Sequence, residues 1–204
     1  MAQQTYLAIG DSYTIGEGLD LEKSWPYQLI YQLNKDGFNF EKPKIIAKTG
    51  WRTDELLDAI DEKLGKDKTF DLVSLLIGVN NQYQEKSLGK YKREFKKLLK
   101  EAIERSKTGA KNVFVVSIPD YGVTPFAKEK DKTNAIEDLK MYNAYAKKLC
   151  EKWNVNFYDI TPLTSKLGES KEMLIEDELH PNAKQYQTWI DSFYNSLLNH
   201  LKMK

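Results

Sequence analysis

The sequence predicts a doubly wound α/β/α sandwich, with helices on both faces of a five-stranded parallel sheet, and three observations support it. Short runs rich in Val, Ile and Leu alternate with amphipathic stretches throughout the 204 residues. Most of these runs are continuously apolar, as strands covered on both faces are, rather than alternately apolar and polar. No linker, repeat or low-complexity tract interrupts the alternation, so residues 1–204 read as one domain, large enough to bury most of its unfolded surface.

The first strand is expected over residues 5–9, ending at Gly10-Asp11-Ser12-Tyr13. Those residues suit a turn through tolerance of positive φ and local side-chain hydrogen bonds. A helix over 25–34 precedes a second strand at 44–48, and a helix over 53–64 precedes a third strand at 72–77. The helix over 88–106 has the clearest period, with Leu88, Tyr91, Phe95, Leu98, Leu99, Ala102 and Ile103 along one side. Lys92, Arg93, Lys96, Lys97 and Lys100 form its solvated face. A fourth strand at 112–118, a helix over 135–153 and a fifth strand at 156–158 follow. The run 128–132 is charged and aperiodic, a solvated connection that borders the site. The last helix, 182–201, carries the stripe Tyr186, Ile190, Phe193, Leu197 and Leu201, with Pro181 placed in its first turn. Right-handed crossovers between parallel strands make this a flavodoxin-like arrangement, and such sheets bind ligands at the carboxyl ends of their strands. Ser12, Gly50, Asn80 and Tyr121 follow the first four strands and Asp177 and His180 the fifth, so all lie on that edge.

Composition narrows the function classes. Lys plus Arg number 31 against 30 Asp plus Glu, so no basic field exists to hold a phosphate backbone and nucleic acid is not an expected partner. No apolar run approaches the roughly 18 residues of a membrane span. The lone Cys150 excludes an internal disulfide and reads as a small buried hydrophobe on a helix. Met1-Ala2-Gln3-Gln4 leads straight into the first strand without a visible signal peptide. The expected compartment is therefore the cytoplasm by default, although an exported chain with its leader removed would look the same.

Two distant segments carry the chemistry. Ser12 stands where a buried strand ends. Asp177-Glu178-Leu179-His180-Pro181 sets a carboxylate three residues before one of only two histidines, the other being His200 in the last helix. Together they suggest a hydrolase, with Ser12 standing in a good place for a nucleophile. Each piece alone also has an ordinary reading: Ser12 in a turn, His180 at a helix entrance, Asn80 capping a turn beside Gly78.

Four separated motifs resemble the SGNH or GDSL hydrolases along nearly the whole chain: Ile9-Gly10-Asp11-Ser12-Tyr13-Thr14, Gly50 within Lys48-Thr49-Gly50-Trp51, Gly78-Val79-Asn80-Asn81, and Asp177 to Pro181. The resemblance implies a Ser12–His180–Asp177 triad and an oxyanion hole made by the backbone N–H groups of Ser12 and Gly50 and the side-chain amide of Asn80. It implies a structural rather than catalytic Asp11, and no metal or other cofactor. Two positions depart from the family pattern: Tyr13 replaces the usual leucine, and Asn81 an aspartate that anchors the loop. A glycine at 50 is expected because a side chain would crowd the acyl group and restrict the backbone. Tyr13, Gln82, Tyr83, Tyr121, Val123 and Phe126 are the expected pocket lining, with ordinary loop packing the alternative at each position. With no lid-like segment and no amphipathic anchor before the first strand, the expected reaction is hydrolysis of soluble acetyl or short- to medium-chain acyl esters, while acetylated sugars, lysophospholipids and acyl thioesters all stay open as substrates within the family. A non-catalytic sugar- or acyl-binding module is the alternative, and a nucleotide or flavin binder ranks lower because no G-x-G-x-x-G or P-loop pattern is present.

Overall fold

The computed structural model describes residues 3–65 and 67–203, so Met1 and Ala2 of the expected leaderless start lie outside the described residues. Five strands, β1 (Tyr6–Asp11), β2 (Lys44–Lys48), β3 (Leu72–Leu76), β4 (Val113–Val116) and β5 (Asn156–Tyr158), form one sheet in the order β2-β1-β3-β4-β5. Every pairing is parallel, with Ala8 opposite Ile45 and Ser74, Ser74 opposite Phe114, and Phe114 opposite Asn156. Every residue of β1, β3 and β4 is buried, which is why they read as unbroken apolar runs, whereas edge strand β2 exposes Lys44 and Lys48.

Five long helices cover the sheet: α2 (Trp25–Lys35), α3 (Thr53–Lys63), α5 (Leu88–Glu104), α7 (Ala135–Lys152) and α9 (Ala183–Lys202). α2 packs on α9, while α5 packs between α3 and α7. Aromatic side chains fill the two layers. Trp25 meets Phe114 edge-on at 6.2 Å between centroids and Phe193 stacks on Tyr158 at 4.8 Å, while Tyr91 and Tyr142 join α5 to α7 at 4.3 Å. Cys150 lies buried on α7, its thiol pushed up to about 12 by burial and then by the nearby Glu151 charge. No helix among the described residues is long and apolar enough to cross a membrane.

The sequence-predicted long elements stand within two residues of their expected ends, and among the strands the larger differences, at the ends of β1 and β4, fall at the site edge. β1 continues through Gly10 and Asp11, which pair with Ala47 and Lys48, and passes directly into α1 (Ser12–Ile15). A Cβ at Gly10 would lie 2.1 Å from Thr14 Oγ1 and 2.4 Å from the Leu76 carbonyl oxygen, so only glycine lets the strand run this close to its neighbours. Three more short helices, α4 (Val79–Tyr83), α6 (Pro125–Glu129) and α8 (Thr161–Leu167), occupy connections with too few turns to show a period. Lys128 and Glu129 therefore belong to a helix, and Lys132 reaches Glu85 at 3.2 Å. Pro181 is not in the first turn of α9: Asn182 is the N-cap, and Pro181 bridges Leu174 in an antiparallel pair.

Candidate active site

Ser12 is the first residue of α1 and Asp11 is its N-cap. The Asp11 carboxylate accepts the Tyr13 amide at 3.1 Å, while Gly16 closes the helix in the left-handed region at φ 74°. Asp11 is wholly buried; burial drives its pKa up to about 7 against the opposing pull of nearby backbone amides, that of Tyr13 foremost. This fits the expected structural role, since Asp11 shapes the turn beneath the serine.

His180 is also buried, and its Nε2 lies 2.9 Å from Ser12 Oγ. Its Nδ1 lies 2.5 Å from Asp177 Oδ2, and Asp177 Oδ1 accepts the backbone N–H groups of Leu179 and His180, both at 2.9 Å. Burial raises the Asp177 pKa, but the imidazole and the two amides more than offset it, so this carboxyl titrates below the usual carboxylate range. An ionised Asp177 can only accept, which places a proton on Nδ1 and leaves Nε2 of the neutral ring to accept the Ser12 hydroxyl.

The Asp177–His180 loop is tied at several points. The Ile175 amide donates to the His180 carbonyl at 2.9 Å, the Glu178 amide to the Ile175 carbonyl at 3.0 Å, and the Asn182 amide to the Met173 carbonyl at 3.0 Å. Tyr13 then packs against the imidazole, its ring 5.2 Å from that of His180 and 6.1 Å from that of Trp189. The aromatic in the usual leucine position thus walls the imidazole as well as the pocket.

Gly50 and Asn80 share a cavity of about 160 Å³ with Ser12 and His180. Gly50 has φ 81°, the left-handed region that favours glycine, but a Cβ there would meet no protein atom within 4 Å. Backbone conformation, not contact with the surrounding protein, accounts for this glycine. Asn80 donates one amide hydrogen to the Trp51 carbonyl at 3.0 Å, which leaves its second N–H for a ligand. The Gly50 carbonyl is held in turn by Gln84 Nε2 at 3.2 Å. Arg52 Nη1 steadies Gln84 by donating to its Oε1 at 2.8 Å. Nothing in the local sequence pattern singles out Gln84 or Arg52, because they lie 34 and 2 residues from Gly50 and meet only through the fold.

Of the expected lining, Tyr13, Tyr83, Tyr121 and Phe126 border this cavity together with Thr49, Val79 and Leu179. Gln82 and Val123 do not. Gln82 lies behind Tyr121, accepting its hydroxyl at 2.6 Å and donating to Asp138 at 3.1 Å. Val123 faces the end of α8, where a Cβ on Gly168 would come within 2.7 Å of it. The loop thus turns Tyr121 and Phe126 inward and the intervening Val123 away.

A serine, an imidazole and a carboxylate hydrogen-bonded in series, beside a carboxamide and a left-handed glycine, form the kind of arrangement serine hydrolases use for acyl transfer. Residues 8–188 match the GDSL-like Lipase/Acylhydrolase family, and the chain belongs to it. No curated protein sequence matches the chain. Among solved structures it is similar to TesA, at 17% identity over 97% of this chain and 99% of that one, with a TM-score of 0.73. It is also similar to Axe2, an acetylxylan esterase from Geobacillus stearothermophilus, at 16% identity over 95% and 94% of the two chains, with a TM-score of 0.74. A third similar structure is the psychrotrophic esterase EstA from Pseudoalteromonas sp., inhibited there by monoethylphosphonate, at 17% identity over 98% and 99%, with a TM-score of 0.69. At these identities the likeness is one of fold.

Proposed function

We propose that this protein is a carboxylic-ester hydrolase that cleaves acetyl and short- to medium-chain acyl esters through an acyl-serine intermediate. The observation that carries the reading is the continuous hydrogen-bonded series from Asp177 through His180 to Ser12, with both ring nitrogens of His180 engaged. Ser12 Oγ attacks the ester carbonyl carbon as its proton passes to His180 Nε2. The imidazolium is stabilised by ionised Asp177 and protonates the leaving alcohol as the tetrahedral intermediate collapses. Water then enters, gives a proton to the same nitrogen and attacks the acyl-serine, and return of that proton to Ser12 Oγ releases the carboxylic acid. The oxyanion of both tetrahedral species is held by the N–H groups of Ser12 and Gly50 and the free N–H of Asn80.

Cavity size and chemistry support the substrate class. A volume of about 160 Å³, walled by Val79, Tyr83, Tyr121, Phe126 and Leu179, suits a short apolar acyl group; pockets for drug-sized ligands are typically about 300–1,000 Å³. An alkyl fluorophosphonate, whose phosphorus mimics the tetrahedral carbon, is expected to add one phosphonyl group to Ser12, located by peptide mass spectrometry. Labelling at another residue, or none in a folded protein, would remove Ser12 from the nucleophile's role.

A further inference from the structure

Asn81 is fully buried one residue from Asn80, and its side chain crosses to the first residue of α3. Its Oδ1 accepts the Thr53 backbone N–H at 3.0 Å and its Nδ2 donates to Thr53 Oγ1 at 2.7 Å. The Thr53 hydroxyl donates onward to Glu94 Oε2 at 2.5 Å. Groups that can play only one part fix the direction of this chain. The backbone N–H of Thr53 can only donate, so the amide oxygen faces it and the amide nitrogen faces the hydroxyl. The Glu94 carboxylate can only accept, so it takes the single hydroxyl proton. Lys90 engages the other Glu94 oxygen and also reaches Asp54 Oδ2 at 2.9 Å, while Asp54 accepts from Arg52 Nε at 3.1 Å. The series thereby ends on the same Arg52 that supports Gln84 and the Gly50 carbonyl.

We propose that Asn81 is a positioning residue whose amide sets the direction of a hydrogen-bond chain, Asn81 to Thr53 to Glu94, that locks the Asn80 loop to the Gly50 loop. The inference rests on the oxyanion-hole reading above and gives it a specific support. An aspartate at 81, compared above about pH 7 where even buried Asp11 is ionised, has no proton to offer. Thr53 Oγ1 would then stand between two carboxylates with one hydrogen, leaving one buried contact as oxygen lone pair against lone pair. The amide at 81 and the carboxylate at 94 form a matched pair, and exchanging their characters restores the chain in reverse: a carboxamide at 94 donates to Thr53, and Thr53 donates to a carboxylate at 81.

The test compares Asn81→Asp, Glu94→Gln and the double variant with the parent by thermal unfolding and by kcat and KM on para-nitrophenyl acetate. Asn81→Asp is expected to lower the unfolding midpoint and to reduce kcat about 10- to 100-fold, with KM changed less than about 3-fold. The double variant is expected to regain both the midpoint and kcat to within about 3-fold of the parent. An Asn81→Asp variant equal to the parent, or a double variant no better than Asn81→Asp, overturns the proposal. Recovery of the midpoint without kcat in an active parent reduces the chain to a structural tie and overturns the positioning role. If Asn81→Asp alone does not fold, the double variant decides: folded and active upholds the proposal, unfolded overturns it. A parent without turnover whose variants still lose and regain the midpoint upholds the chain and sinks the esterase reading instead.

Discussion

Asp11 and Ser12 are neighbours with opposite demands, since one must stay buried while the other must reach a substrate. Burial holds the Asp11 pKa at about 7, against an ordinary value of 3.8. Between about pH 4 and 7 the folded protein therefore keeps a proton that the unfolded chain has lost. Stability from this group is full below about pH 4, falls as pH rises through that window, and is gone above about pH 7. A shift of this size corresponds to on the order of 4 kcal/mol. Asp54 and Asp177 have lowered values, so the stability they add is lost only as pH falls below the ordinary carboxylate range. Asp11→Asn keeps the oxygen that accepts the Tyr13 amide and supplies the hydrogens of a neutral side chain. Urea unfolding is expected to find the variant and parent equal near pH 4 and the variant more stable by a few kcal/mol near pH 8; parallel pH curves would show that Asp11 is ionised throughout. At this scale the sequence makes Ser12, Asp177 and His180 visible through their types and places. It does not show Gln84, Arg52 or the Thr53–Glu94 link, whose meaning depends on side chains brought together from the two connections that follow β2 and β3.

The elements that carry the site are the shortest ones. α1 and α4 span only four and five residues, yet they present Ser12 and Asn80. Periodicity needs several turns to register, so α2, α3, α5, α7 and α9 are legible in the sequence, whereas α1, α4, α6 and α8 are hidden in stretches that read as turns and loops. The end of β1 departs from the sequence-based expectation for a related reason: Gly10 and Asp11 have turn chemistry, but parallel pairing to Ala47 and Lys48 overrides it. The entrance to α9 shows how an element end governs the site. The Asn182 side chain accepts the Lys184 and Gln185 amides at 3.0 and 3.1 Å and donates to the Glu172 carbonyl at 2.7 Å, capping the helix while fastening the segment that leads to Asp177. Asn182→Ala is expected to cost about 1–2 kcal/mol, and calorimetry should find the midpoint lowered by roughly 2–8 °C, at about 2–4 °C per kcal/mol for a chain of this size. An unchanged midpoint would mean that water replaces the cap without loss.

At the scale of the whole molecule, the strand order decides what can meet. Because the order is β2-β1-β3-β4-β5, the connections after β1, β2 and β3 open side by side at one edge, bringing Ser12, Gly50 and Asn80 together. The loop after β4 supplies Tyr121 and Phe126, and the long return after β5 brings His180, 168 residues along the chain from Ser12, back to it together with Asp177. The parallel sheet and the edge its ligands would use are readable from the alternation of apolar runs and helices. Which side chains face the cavity is not, because the inward and outward positions of a loop follow no fixed period, as Gln82 and Val123 show. The central claim is that this edge performs acyl transfer through Ser12. The most direct test measures hydrolysis of para-nitrophenyl esters of increasing chain length, from acetate upward, by the protein and by Ser12→Ala, with circular dichroism confirming that both are folded. The account predicts turnover by the parent that is greatest for short acyl chains and falls by at least about 10³-fold in the variant. Equal rates in parent and folded variant would contradict it.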